Sequence, residues 1–282
     1  MSGMEGKLSV QRIVVALDAS PRSLEVIETA TSLAARLSSE IMGLFVEDIN
    51  LLRVADLPFT QEVSTFSSGR RSLDRPELER QFRAQAGWMR QALERAAESK
   101  HLPWKFRVVR GSVAGELLAA GAEAELLILG KIGRSLMQKR RIGSTVRMLI
   151  LERSGLTLVL QEGRELATPV VVIYDGSPGS QKALAVAGGL VETNQTSLLV
   201  IALADDESSA PKLRGDLAEK LRDLGLIADI RLLINPSLEG LAEVVRMQSA
   251  GPVVIPCGPR LLQNEALCSL VNEIPNPVLI LR

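Results

Sequence analysis

Histidine is almost missing from this chain: His101, in "SKHLPW", is the single one in 282 residues. That count excludes a histidine-based catalytic triad and a multi-histidine metal centre. Cysteine is scarce too. Cys257 and Cys268 stand eleven positions apart, without the paired spacing of a zinc site, and read as buried free thiols. Aromatic residues make up 3% of the chain, and the 46% that is hydrophobic is mainly aliphatic, in short runs broken by charge. No run approaches the roughly 18 unbroken apolar residues of a membrane span. The opening "MSGMEGKLSVQR" lacks the apolar stretch and small-residue cleavage site of a secretory signal, so the expectation is a cytoplasmic protein. Net charge is absent as well, since 33 basic residues balance 33 acidic ones. Nothing global draws the chain to nucleic acid or anionic lipid, so any electrostatic function is local.

What is present is a repeat. "VVALDASPRS" (14–23) returns as "VVIYDGSPGS" (171–180), so that Val14, Val15, Asp18, Ser20, Pro21 and Ser23 recur as Val171, Val172, Asp175, Ser177, Pro178 and Ser180. The chain reads as a tandem duplication, which suits a length with room for about two domains. The boundaries expected are 1–162 and 169–282, with "GRELATP" (163–169) as linker. Each copy opens on a continuous apolar run, the pattern of a parallel strand covered on both faces. In the first copy Ser20 can cap the following helix and Pro21 suits its first position, with Leu24, Ile27, Thr31, Ala34 and Leu37 along one face. Strands are expected at 40–46, 105–109, 126–129 and 157–160, and helices over 76–100, 115–124 and near 144–153. Residues 47–75 show no period and read as a long loop, whose apolar Leu51, Leu52, Leu57, Phe59 and Phe66 fold back over the core or serve a partner. The second copy alternates in the same way, with helices to about 192, over 211–224 and near 238–248 and 265–273. Alternation of strand and helix implies doubly wound parallel sheets.

The segment "GKIGRSLMQKRRIGST" (130–145) carries the pattern G-x2-G-x9-G-[S/T] through Gly130, Gly133, Gly143 and Ser144. Glycine admits positive φ and brings backbone amides close to a ligand. A helix starting at Gly143–Ser144 would point its free N–H groups and positive dipole end at an anion, with the Ser144 and Thr145 hydroxyls as added donors. The segment leaves the carboxyl end of an inferred strand, where open α/β sheets place ligands, and Asp18 ends the strand expected to form the other wall. Without a ligand, Asp18 would be a structural or helix-capping carboxylate.

A strand ending in Asp-x-Ser, a glycine after the "LLIL" strand, the G-x2-G-x9-G-S pattern and the order of elements resemble the universal stress protein family. The likeness covers 12–161 well and 169–282 loosely. It implies two five-stranded domains of strand order 3-2-1-4-5, with the adenine-nucleotide alpha-hydrolase-like architecture. It also implies an ATP site made by Asp18 with Ala16 and Leu17, by Gly130, Gly133, Gly143, Ser144 and Thr145, by Val46 lining the adenine pocket, and by Leu129 touching the base. Where many relatives carry a Ser-His pair this chain has Lys131 and Ile132. Lys131 then either adds a charge-assisted phosphate contact or is solvated, and "QKRR" (138–141) reads as a solvated face.

The duplicate has lost the cradle. Thirty positions separate Gly130 from Leu160, but twenty-three separate Gly258 from Leu281. "PCGPRLLQNEAL" sets its one glycine beside prolines, which offer no N–H, and Asn264 reads as an ordinary helix cap. Asp175 is left without a phosphate-binding partner, and the acidic "DDE" (205–207) would repel phosphate if it faced the cleft. The expectation is one adenine nucleotide per chain, bound in the first domain of a non-catalytic stress-response regulator that acts on a protein partner. Mg²⁺ could join it, held by Asp18 and Ser144. A weak ATPase and an interaction module with an unused pocket are the alternatives, since no general base or arginine finger is evident. The last strands, "TLVL" and "VLIL", could pair within the chain as an internal pseudo-dimer, and a further homodimer stays open.

Overall fold

The computed structural model describes residues 10–20, 22–57, 61–63, 70–72, 74–131, 142–161, 163, 166–191, 198–248, 251–258, 263 and 265–282. The first half runs β1 (Arg12–Leu17), α1 (Ser23–Leu37), β2 (Glu40–Asp48), α2 (Ile49–Ala55), β3 (Gln61–Val63), β4 (Arg70–Ser72), α3 (Arg75–Ser99), β5 (Trp104–Gly111), α4 (Val113–Ala122), β6 (Leu126–Gly130), α5 (Ser144–Glu152) and β7 (Leu156–Leu160). The second half follows as β8 (Val170–Tyr174), α6 (Pro178–Leu190), β9 (Leu198–Ala204), α7 (Ala210–Asp223), β10 (Asp229–Ile234), α8 (Leu238–Met247), β11 (Val253–Pro256), α9 (Glu265–Glu273) and β12 (Val278–Leu281).

Ten of these strands form one sheet in the order β10-β9-β8-β11-β12-β7-β6-β1-β2-β5. Each half contributes five strands in the order third-second-first-fourth-fifth, all parallel within the half. The apolar runs explain why. Ile13, Val14 and Val15 are all fully buried, and alternate residues feed two cores on opposite faces of the sheet. Ile13, Val15 and Leu17 pack in the core that holds Ile27 of α1, Phe82 of α3, Leu184 of α6 and Leu217 of α7. Val14 packs in the core that holds Leu117 of α4, Leu149 of α5, Leu241 of α8 and Leu270 of α9.

The halves meet where their last strands pair. β7 and β12 run antiparallel, setting Leu156, Thr157, Leu158 and Val159 opposite Leu281, Ile280, Leu279 and Val278. Gly155 and Arg282 extend the ladder by exchanging N–H···O bonds of 3.0 and 3.3 Å. The outer strands β5 and β10 carry Lys105, Arg107 and Arg110, and Asp229 and Arg231, charges that oppose pairing with another sheet.

Two local expectations change. Residues 47–75 are not structureless: they contain α2 and the β3–β4 hairpin. The Asp48 side chain caps α2 by accepting from the Asn50 N–H at 2.9 Å, and buried Leu52 anchors the helix from beneath. Leu51 and Leu57 stay exposed, while Phe59 and Phe66 lie outside the described residues. Nor does the Ser20 side chain cap α1. That helix begins at Ser23 with Arg22 at the N-cap position and no side-chain cap; the Ser20 carbonyl accepts from the Ser23 N–H at 3.0 Å, the Ser20 N–H donates to Asp18, and Pro21 lies outside the described residues. In the duplicate, Ser177 does cap α6, accepting from the Ser180 N–H, and Pro178 starts the helix.

One buried cation secures the first half. Arg153 is 4% exposed, and its guanidinium donates to the carbonyls of Leu156, Gly121 and Ala124 at 2.6, 2.9 and 2.9 Å. It thereby ties β7 to the carboxyl end of α4, where a cation suits the helix dipole. Burial lowers its pKa to about 10. Arg153→Ala strands these carbonyls and opens a hole, so unfolding in urea should show a loss of about 3 kcal/mol.

Candidate functional site

The first half's strand order puts β1 beside β6 and sends the chain to opposite faces from each. Between their carboxyl ends lies a cavity of about 510 Å³, the size of a small-molecule site. Its walls include Ala16, Leu17, Asp18, Val46, Leu129, Gly130, Gly143, Ser144 and Thr145. Nine of the eleven residues singled out from the sequence therefore surround one space. Gly133 lies outside the described residues, as do Ile132 and residues 138–141.

Lys131 is the exception. It is 7% exposed and does not line the cavity. Its ammonium donates to the carbonyls of Asn272 and Ile274 at the end of α9, at 2.9 and 3.4 Å. Neither the phosphate contact nor the solvated reading describes this placement. A sequence cannot show which neighbour a side chain turns to when that neighbour lies 141 positions away. Burial lowers the Lys131 pKa from 10.5 to about 8, outweighing the carbonyl bonds that favour its charge.

Asp18 is held rigidly. Its Oδ1 accepts from the Ser20 N–H at 3.0 Å and from the Ser23 hydroxyl at 2.8 Å. The turn behind it puts Ala19 at φ 57°, a left-handed conformation costing a residue with a Cβ about 1 kcal/mol. In the duplicate the corresponding residue is Gly176, at φ 81°, and Asp175 Oδ1 accepts from the Ser177 N–H at 3.0 Å. The carboxylate turn is thus kept in both halves, and the first keeps it with alanine.

At the other wall α5 begins. Gly143 is its N-cap, with φ −65° and ψ 158°, and no side chain caps the helix. That backbone conformation is open to any residue, so positive φ is not what calls for glycine here. A Cβ on Gly143 would meet nothing within 4 Å. The N–H groups of the first turn point toward the cleft side, where the helix dipole presents positive charge. Leu44, Val113 and Leu117 add an apolar slot near Val46 and Leu129. Sequence reading missed Asp48 and Arg22, which also line the cavity. Position 22 did carry a signal, since the repeat has Gly179 there.

In the second half the described residues come closer together at the corresponding point. A Cβ on Gly179 would stand 3.6 Å from the Cys257 carbonyl and 3.7 Å from Pro256 Cβ, so the chain leaving β11 lies on the first turn of α6. The acidic turn after β9 is self-contained: Asp206 Oδ1 accepts from the Ser208 hydroxyl and the Ser209 N–H at 2.7 and 2.8 Å.

A doubly wound sheet with a cavity at its switch point defines the class. The sequence profile of the universal stress protein family matches residues 9–152, and the chain belongs to that family. Among solved structures, a universal stress protein from Archaeoglobus fulgidus DSM 4304 covers 96% of both chains at 17% identity and a TM-score of 0.72. A protein of unknown function from Pseudomonas aeruginosa PAO1 covers 96% of this chain and 92% of its own at 12% identity and a TM-score of 0.64. No curated protein matches the sequence.

The buried lysine makes a pH test possible. Unfolded, Lys131 keeps its proton to near 10.5; folded, it releases it near 8. Between those values the unfolded chain binds more protons, so rising pH favours the folded state. Urea unfolding of wild type and Lys131→Met across that window should show wild type gaining stability relative to the variant. A constant difference between them would contradict a depressed pKa.

Proposed function

We propose that the first half binds an adenine nucleotide, ATP foremost, and that the protein is a non-catalytic regulator in a cytoplasmic stress response. The observation that carries this reading is the convergence on one cavity of a fixed carboxylate, an uncapped helix start and an apolar slot. Family membership adds to it. The slot formed by Ala16, Leu44, Val46 and Leu129 suits a flat base, and the Asp18 carboxylate can accept from nucleoside hydroxyls. The amides and hydroxyls of Ser144 and Thr145 face the phosphates. Mg²⁺, where present, would fall to Asp18 and Ser144, neutralising phosphate charge between them. One nucleotide per chain is supported by the absence of the glycine pattern from the second half and by the approach of Cys257 to Gly179.

Regulation needs a surface that senses occupancy. Leu51 lines the cavity while remaining 38% exposed, and Val54 and Leu57, on and just beyond the same short helix, are 41% and 60% exposed. A ligand that bears on Leu51 in only one state shifts the population of α2 arrangements that a protein partner reads.

Titration calorimetry tests the site. Wild type should bind ATP, and Gly143→Asp should weaken it at least tenfold, because the new carboxylate has room on the backbone yet stands beside phosphate. Equal binding by the variant, or no ATP binding by wild type at millimolar concentration, would refute the reading. Phosphate release that survives both Asp18→Ala and Ser144→Ala would come from a contaminant rather than from this cleft.

A further inference from the structure

The second half grips the neck of the cleft. Lys131 follows Gly130, Ile142 precedes Gly143, and both are held by Asn272 of α9. The Asn272 carbonyl accepts from the Lys131 ammonium at 2.9 Å, and the Asn272 Oδ1 accepts from the Ile142 N–H at 3.0 Å. The Gly143 N–H donates to the Lys131 carbonyl at 3.4 Å, so the neck itself is closed. Gln161 and Lys131 both donate to the Ile274 carbonyl, at 3.3 and 3.4 Å, and Arg147 of α5 pairs with Glu265 at the far end of α9. The last carbonyls of α9 have no partner within the helix, and a lysine ammonium there satisfies them and the helix dipole together.

We propose that Asn272, from the half without a glycine pattern, is a positioning residue for the phosphate end of the site. Through Lys131 and Ile142 it fixes Gly130 and Gly143 at the separation the cleft requires. The second half, which lacks the glycine pattern, thereby sets the phosphate affinity of the first. This inference rests on the nucleotide reading for its ligand, though not for its geometry.

The position of the clamp dictates what it controls. Asn272 reaches the neck beside Gly130 and Gly143, while the apolar slot is built by Ala16, Leu44 and Val46 on β1 and β2. Loss of the clamp should act on phosphate binding and spare the nucleoside. Aspartate at 272 keeps both acceptors, the main-chain carbonyl and a side-chain oxygen for the Ile142 N–H, and places a carboxylate near the lysine. Leucine keeps the carbonyl but removes the side-chain acceptor and leaves the Ile142 N–H unpaired.

The experiment compares wild type, Asn272→Leu and Asn272→Asp, measuring ATP and adenosine affinity by calorimetry and amide exchange over 142–146 by mass spectrometry. Asn272→Leu should weaken ATP about tenfold, leave adenosine within about twofold and speed exchange, and Asn272→Asp should restore wild-type behaviour in all three. Unchanged exchange in Asn272→Leu overturns the clamp, as does a parallel fall in ATP and adenosine affinity. If Asn272→Leu does not fold, Lys131→Met, which removes the other arm, takes its place with the same expected split. If wild type binds neither ligand, the nucleotide reading is what fails. Exchange then decides the clamp alone, with faster exchange supporting it and unchanged exchange refuting it.

Discussion

The antiparallel pairing of β7 with β12 is the constraint from which the rest of this architecture follows. A five-stranded parallel sheet of this order ends on its fifth strand, an apolar edge with unpaired N–H and C=O groups. Here the two fifth strands satisfy one another, and Leu158 and Leu279, opposite in the ladder, are both buried. That pairing also brings α5 and α9 together over one face. Without it, the carbonyls of Asn272 and Ile274 could not reach Lys131, and the neck of the cleft would be held from one side only.

The two halves give unlike answers to the same topology. Both keep the first strand, the carboxylate turn and the parallel order. In the first half α1 starts at Ser23, and the end of β6 stands away from it across the cavity. In the second, α6 starts at Pro178, and Cys257 lies against Gly179. An earlier helix start and a shorter connection bring these two elements into contact at this point. The hydrogen bond that Asp175 accepts shows that the carboxylate also has a structural task, organising the backbone of the turn after the strand. Asp18 combines that task with its place in the cavity wall.

Much of this was legible in the sequence because it rests on local pattern. Continuous apolar runs gave the strands, the repeat gave the two halves, and glycine spacing with the helix start at Ser144 marked one wall of the cavity. The end of the first strand placed Asp18 on the other wall, and the resemblance supplied the 3-2-1-4-5 order and the residues of the apolar slot. What escaped depends on partners distant along the chain. The helix within 47–75 is seven residues long and owes its form to the Asp48 cap and buried Leu52, too little for periodicity to register. Ser20 was expected to cap α1 with its side chain, but the helix starts at Ser23 and the Ser20 N–H donates to Asp18. The direction of Lys131 was hidden for a plainer reason: its partners belong to the other half, and a basic residue after a glycine looks the same whether it faces phosphate or a helix end.

The joint also orders events during synthesis. β7 ends at Leu160 and its partner does not begin until Val278. At cellular rates of about 5–20 residues per second, the first half spends on the order of ten seconds with an apolar strand edge uncovered. During that interval the cleft's neck has no α9 to hold it. The chain therefore passes through a stage in which the first half is formed but its edge can pair with the wrong strand, including the same edge on a neighbouring nascent chain.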